Sequence, residues 1–411
     1  MERRDYLTTV LAILVIMAVG LAVYNSFQLS QLRDYISRFG ENLSTVKSTA
    51  QQSINYVKEL SQEAQQLGSA LAQVNSSLSS QVISIRSQLS LLEAQQGFPT
   101  IIVDALNRTV VVPVKPIRII ALDPAAAEIV LAIGATSQLV GIDNDSLLYL
   151  PPPYNYTIHE LYANGSLEVI GSTYTSPSIE EILSLSPDLV IGTAGWGYNN
   201  YIATTLAQYG VPVILLPSSQ SLEDVYRSII MAGQATGHVR QAVQLVENMS
   251  ASVSLTERAA SGFPRVNVTV VLWINPTYVA GGGTFISDML TLAGGINVFE
   301  NLTGWPVVSP EEMLQANPGV VIIMSNGGLF NITSFYQWLN STIGPSYLQI
   351  SAVKNGRVYV IKGWYEDVIS EPAVLTPLGL KLLVAILHPQ AFNLTQIPQV
   401  ISPATLPLGG G

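Results

Sequence analysis

From Leu7 to Val23 the chain carries no charge and is built mainly of Leu, Ile, Val and Ala. Extended through Tyr24 and Phe27, the run reaches the ~20 residues that a bilayer-spanning helix needs. From Leu29 the pattern changes to apolar residues in steps of three and four. One row is Leu29, Ile36, Leu43, Ala50, Val57, Ala64, Leu71, Leu78, Ile85 and Leu92. The other is Leu32, Phe39, Val46, Ser53, Leu60, Leu67 and Val74, then Gln81 and Gln88. The register holds for nine heptads without proline, which predicts a coiled-coil helix and leaves its strand number open. As one helix, residues 29–92 would span roughly 95 Å. The competing form is a hairpin folded back at Gly40 or Gly68. Gln96-Gly97-Phe98-Pro99 supplies the stop.

Beyond Pro99 the pattern is that of a mixed chain. Ile101–Val103 and Val110–Val112 flank Asn107-Arg108 and read as a hairpin. Apolar runs at Ile117–Leu122, Leu189–Ile191 and Val213–Leu216 read as buried strands, with helical patterns at Glu128–Ile133 and Ile179–Leu185. A second set of strands falls at Val266–Ile274, Val320–Met324 and Val358–Ile361. Such alternation predicts mainly parallel sheets covered on both faces. Between the sets, Leu222 to Ala260 holds no proline and reads as helix broken at Gly233 and Gly237. The expected fold class is α/β: two Rossmann-like lobes joined by a single long helix, preceded by a transmembrane helix and a coiled-coil stalk. The expected boundaries are an anchor at 1–28, the stalk at 29–96, an N-terminal lobe at 97–237 and a linking helix at 238–262. A C-terminal lobe follows at 263–395, then a Pro/Gly-rich flexible tail at 396–411.

Composition narrows the function. Lys plus Arg is 18 against 28 Asp plus Glu, a net charge of −10, so there is no basic footprint for nucleic acid. With 48% hydrophobic and 11% charged residues, bulk disorder is excluded. The chain has no cysteine, which excludes disulfides, thiolate metal sites, cysteine nucleophiles and a lipidated N-terminal cysteine. Membrane attachment therefore falls to the apolar run. Arg3 and Arg4 precede it but Arg33 and Arg38 follow, so its charge bias is weak. A cleaved leader, with Ala18, Gly20 and Ala22 near the cut, is the competing reading; both readings export the remainder. Sequons occur at Asn42, Asn75, Asn107, Asn144, Asn155, Asn164, Asn248, Asn267, Asn301, Asn331, Asn340 and Asn393. These are twelve of 21 asparagines, where about three would arise by chance. They predict an exported glycoprotein.

Several segments resemble the ABC-transporter solute-binding proteins for vitamin B12, iron-siderophores and haem. Ile101-Ile-Val-Asp-Ala-Leu-Asn-Arg-Thr-Val-Val-Val-Pro113 is similar to that family's opening hairpin. Arg118-Ile-Ile-Ala-Leu-Asp-Pro-Ala-Ala-Ala-Glu128 is similar to its first strand and turn, and Ser178-Ile-Glu-Glu-Ile-Leu-Ser-Leu-Ser-Pro-Asp-Leu-Val190 to its most recognisable N-lobe motif. Gly282 to Leu290, Ala293 to Phe299, Trp305 to Leu314, Ala352 to Val360 and Leu387-His-Pro389 follow in family order. The resemblance covers about residues 99–392 and leaves the first 98 outside it.

The resemblance implies a receptor that binds a ligand between two lobes and docks on a membrane permease with its ATPase. The docking glutamates it implies are Glu180 and Glu311, each opening a helix, where an acid also complements the helix dipole. The cleft is expected where strand C-termini meet helix N-termini. Tyr174, Trp196, Tyr198, Tyr278, Trp305, Trp364 and Tyr365 fall at such loops and offer flat area to a bulky ligand. Asp123, Glu366 and Asp367 are the acids nearby, and no arginine falls in these loops. That favours a neutral or cationic cobalamin-like corrinoid over an anionic ferric siderophore or haem as the bound ligand. No resident cofactor or metal is expected.

Enzyme patterns are incomplete. His159-Glu160 opens a zinc-protease motif, but Ala163 stands where its second histidine would be. His159, His238 and His388 are scattered, Gly281-Gly-Gly-Thr284 lacks a following Gly-Lys, and no Gly-X-Ser-X-Gly elbow occurs. A non-catalytic alternative to the receptor is a cell-surface structural protein that uses the same fold as an assembly module, self-associating through the stalk.

Overall fold

The structure is a computed structural model and describes residues 2–94 and 97–408. The expected end of the stalk at 95–96 and the last three residues of the tail lie outside these. Contacts divide the chain into two units, residues 1–75 and 76–411.

The described residues of the first unit are helical, as part of α1 (Glu2–Ala94), which continues through Gly40 and Gly68 without a break. Its most apolar stretch reaches a mean hydropathy of 2.3. Serine and threonine persist here because their hydroxyls bond back to the helix: Thr45 Oγ1 donates to the Glu41 carbonyl and Ser53 Oγ to that of Thr49, both at 3.0 Å. The large apolar residues of both heptad rows, from Leu29 to Leu78, are all more than half exposed.

The second unit opens with an antiparallel hairpin, β1 (Thr100–Val103) and β2 (Thr109–Val112). Then follow β3 (Ile119–Ala121), α2 (Pro124–Ala132), β4 (Leu139–Ile142), α3 (Asn144–Tyr149), α4 (Tyr154–Ala163) and β5 (Glu168–Val169). After α5 (Ile179–Ser184), β6 (Leu189–Thr193), α6 (Asn199–Gln208) and β7 (Val213–Leu216) the N-terminal lobe's sheet is complete. Its strands are all parallel, in the order β5-β4-β3-β6-β7. Both faces are covered, so β3 and β7 read as unbroken apolar runs.

Two helices follow, α7 (Leu222–Thr236) and α8 (Val239–Ser261). They meet at Gly237, in the left-handed conformation at φ 75°. Gly233 is a correction: α7 runs through it. A Cβ there would lie 2.4 Å from that of Ala242 on α8, so the glycine serves a close helix crossing. α8 packs on α7 and also on α14 of the second lobe.

The C-terminal lobe comprises β8 (Val266–Trp273), β9 (Tyr278–Val279), α9 (Phe285–Leu292), β10 (Gly295–Asn297), α10 (Pro310–Ala316) and β11 (Val320–Met324). Then come α11 (Ile332–Ile343), α12 (Ser351–Lys354), β12 (Val358–Ile361), α13 (Tyr365–Ser370), α14 (Thr376–Leu387) and β13 (Val400–Ile401). Its sheet runs β10-β8-β11-β12-β13, all parallel, with β9 antiparallel on β8. β13 corrects the expected loose tail. Ile401 and Leu406 are buried, and the Tyr365 hydroxyl donates to the Leu406 carbonyl at 2.9 Å. Residues 396–408 therefore belong to the lobe.

Candidate functional site

In each sheet the strand order reverses at one point. In the N-terminal lobe β3 lies beside β6, and the chain winds away from that pair in both directions; β8 and β11 are the equivalent pair in the other lobe. Ligands of open α/β sheets bind outside the carboxyl ends of the strands at such a switch point. The loops after these four strands are thus the candidate cleft walls.

The N-lobe wall is built around Asp123. It caps α2 by accepting from Ala126 N at 2.9 Å, just before Pro124. Its carboxylate also accepts from Thr193 N, from Thr193 Oγ1 at 2.9 Å and from Asn199 Nδ2 at 2.8 Å, tying the β3 loop to the β6 loop. Burial is the main influence on this carboxyl and raises its pKa, against those hydrogen bonds. The β5 loop joins through Thr173, whose Oγ1 donates to the Leu122 carbonyl at 2.7 Å and whose carbonyl accepts from Tyr198 N at 3.0 Å. Gly197 lies so close that a Cβ would come 2.6 Å from Tyr174 Cα. That approach sets the Tyr174 ring 5.5 Å from Trp196. Tyr174 and Tyr198 are exposed, Trp196 is half-buried, and the Trp196 Nε1 donor has no partner.

The C-lobe wall is tied in the same way. Asn326 donates from Nδ2 to the Leu272 carbonyl at 2.6 Å, joining the β11 and β8 loops. Glu366, at the β12 loop, accepts from Ser325 Oγ and Asn326 N, both at 2.7 Å. Tyr278 on β9 bridges to Val307, and Val308 N donates to the Thr277 carbonyl, so the loop carrying Trp305 is held beside β9. Gly281 and Gly282 bond backbone to backbone with Gly304 and Leu302 on that loop, and Thr284 caps α9. Tyr278 is 37% and Trp305 49% exposed, enough of each ring for a ligand to cover.

Two expected site residues fare differently. Tyr365 is a correction: it is buried against the C-terminal segment and offers nothing to a cleft. Trp364 is half-buried on the core, edge-on to Tyr365 with ring centres 4.7 Å apart. The pattern of the sequence passes over Trp273 and Phe330, an edge-to-face pair 4.7 Å apart at the C-lobe switch point. Trp273 is hidden within the strand run Val266–Ile274, although a tryptophan ending a strand run is itself a signal. Glu180 and Glu311 are exposed in the first turns of α5 and α10, which Ser178 and Ser309 cap. Ten sequon asparagines are exposed, and Asn144 and Asn155 are half-buried.

The lobes also meet at a small pocket lined by Pro124, Glu128 and Pro151 on one side and by Asp367, Val368, Glu371, Ala373 and Leu375 on the other. Burial pushes Glu128 and Asp367 each up to about 7. Asp143, the cap of α3, also rises to about 7, chiefly through burial. Glu371 is raised well above its ordinary value, first by burial and then by Glu128 and Asp123. Among the described residues no three His, Asp or Glu side chains could hold a metal ion.

Comparison with known proteins bears on the fold. A family model described as periplasmic binding protein matches residues 119–364. The chain is 25% identical over 301 residues to YvrC of Bacillus subtilis, an uncharacterized ABC transporter substrate-binding lipoprotein, across 72% of this chain and 88% of that protein. It is 24% identical over 265 residues to a cobalamin-binding protein of Halobacterium salinarum, across 64% of this chain and 66% of that protein. A solved periplasmic solute-binding protein from Staphylococcus epidermidis matches with a TM-score of 0.56 and 25% identity, over 67% of this chain and 99% of that one.

Proposed function

The chain belongs to the periplasmic binding protein family, and from that premise we propose that it is a membrane-anchored extracellular receptor delivering a bulky metal chelate to an ABC importer. The observation that carries this reading is the pair of aromatic walls, Tyr174, Trp196 and Tyr198 on one lobe and Trp273, Tyr278 and Trp305 on the other, each at a strand-order reversal. Rings so placed give a rigid ligand large apolar area, with few polar groups to orient it. A corrinoid is preferred. The Asp123 carboxylate already closes the end of α2, and no arginine falls in the cleft loops to meet an anionic ligand. The cobalamin-binding relative supports the same choice.

Exposed Glu180 and Glu311 would pair with permease arginines, one from each lobe. Residues 7–27 would hold the chain in the membrane, since it has no cysteine to carry a lipid. The exposed heptad stripe supports self-association of the stalk through Leu60, Leu67 and their neighbours, and the exposed sequons support glycosylation. The test is titration of the chain with cobalamin, a ferric siderophore and haem, followed by tryptophan quenching. Saturable quenching by cobalamin at one site per chain is expected. Binding of the siderophore alone would overturn the corrinoid; binding of none of the three would overturn the chelate receptor.

A further inference from the structure

The two lobes cap each other's helices. α14 begins at Leu375 without a side-chain cap from its own lobe. Leu375 N donates instead to Glu128 Oε1 on α2 of the N-terminal lobe, at 3.0 Å. In the other direction, Leu222 N, at the start of α7, donates to Asp288 Oδ2 on α9 of the C-terminal lobe, at 3.1 Å. Each lobe thus places one carboxyl on the positive end of the other's helix. We propose that this reciprocal capping is a latch on lobe opening, and that the acidic seam around Glu128 makes the latch sensitive to pH.

The seam holds like charges only. Glu128 is 3% exposed and faces Asp367, while Glu371 feels Glu128, Asp123, Asp367 and Asp143 in that order. Tyr154 of α4 faces Glu128 too and is pushed up to about 12, mainly by burial. None of the five acids is in an ion pair among the described residues. Lys381 of α14 is turned to the Leu408 carbonyl at 2.8 Å, and Arg227 of α7 is exposed. On the other side of the junction Asp288 faces Asp224 and Glu300.

The sign follows from linkage. Glu128 has an ordinary value of 4.5 and is raised to about 7 when latched. The latched state therefore binds the proton more tightly than the opened one. The latch is tightest below pH 4.5 and weakens as pH rises toward 7, and Glu371, raised well above its ordinary value by burial, extends the weakening upward. The shared hydrogen bond to Leu375 survives protonation; what grows with pH is the cost of a buried charge beside other carboxyls. This device does not depend on which ligand the cleft takes.

Hydrogen exchange of the full chain in detergent, ligand-free, tests it. Exchange at the segment around Leu375, corrected for the chemical rate, should rise with pH by up to about ten-fold per unit between 4.5 and 7. Glu128→Gln keeps an acceptor and removes one ionisation, so its slope should fall, with Asp367 and Glu371 left to titrate. Glu128→Ala should raise exchange there at every pH, and Asp288→Ala should do so around Leu222. Among the described residues Glu371 makes no hydrogen bond through its carboxyl, so Glu371→Gln should fold normally and lower exchange at pH 7. A flat wild-type profile, or one that keeps its slope in Glu128→Gln, would overturn the pH sensitivity. Wild-type exchange at both segments in the two alanine variants would overturn the latch.

Discussion

Replacing Asp123 by alanine removes the group that fastens the two N-lobe cleft loops together. The side chain is 1% exposed and accepts from Ala126 N, Thr193 N, Thr193 Oγ1 and Asn199 Nδ2. Loss of the helix cap costs about 1 kcal/mol. Thr193 N and Asn199 Nδ2 would each lose an acceptor, at about 1–3 kcal/mol apiece where water stays out. The Thr193 hydroxyl can turn elsewhere and adds little. Removing a carboxyl whose burial already disfavours its charge offsets part of the sum. The net expectation is a loss of about 3 kcal/mol, read from urea unfolding followed by tryptophan fluorescence. Asp123→Asn should cost less, because its amide oxygen can still accept from Ala126 N and Thr193 Oγ1, but its amide nitrogen then faces Thr193 N, which shares Oδ2 with Asn199, so part of the loss remains. Because the β6 loop carries Trp196, ligand affinity should fall in both variants in the same order. A loss under about 1 kcal/mol for Asp123→Ala, or equal losses for alanine and asparagine, would refute the tie between the loops.

Trp196→Ala and Trp305→Ala should each weaken ligand binding by about 1–3 kcal/mol if the rings are anchors, with unfolding midpoints unchanged; a lowered midpoint would assign the ring to packing instead. Glu180→Arg together with Glu311→Arg should stop uptake in cells while leaving ligand affinity intact, since like charge would then meet like charge at the permease; lost affinity would move these residues out of the docking role. Tyr365→Phe should cost about 1 kcal/mol and raise proteolysis of residues 396–408 without changing ligand affinity. Leu60→Asp with Leu67→Asp should convert an associated stalk to monomer in analytical ultracentrifugation, because seam positions must be buried in any coiled coil.

The parallel sheets could be read from the sequence because their central strands are buried on both faces. Val213–Leu216, Val320–Met324 and Val358–Ile361 are uninterrupted apolar runs, and each strand falls where its run does. β5, β9 and β13 are two residues long, and their pairing depends on partners far along the chain, which no local pattern encodes. β13 is invisible for that reason, and with it the order of the C-terminal segment. Gly233 misleads because a glycine in a helix looks the same whether it breaks the helix or lets another pass close by. At the site, loop aromatics are visible as residues, but their burial is not. Tyr365 lies one position beyond Trp364 and turns into the core, whereas Tyr174, Tyr198 and Trp305 stay open. The cross-lobe caps join Glu128 to Leu375 and Asp288 to Leu222, and nothing in either local sequence announces such a contact.

The central claim is that the two aromatic walls hold one metal chelate. Native mass spectrometry of the full chain, released from membranes of the cells that make it, measures this directly. The account predicts a retained mass matching one corrinoid per chain, lost from the Trp196→Ala and Trp305→Ala double variant. A folded chain carrying no ligand after purification from cells supplied with corrinoid and iron, or one whose bound mass survives the double variant, would contradict it.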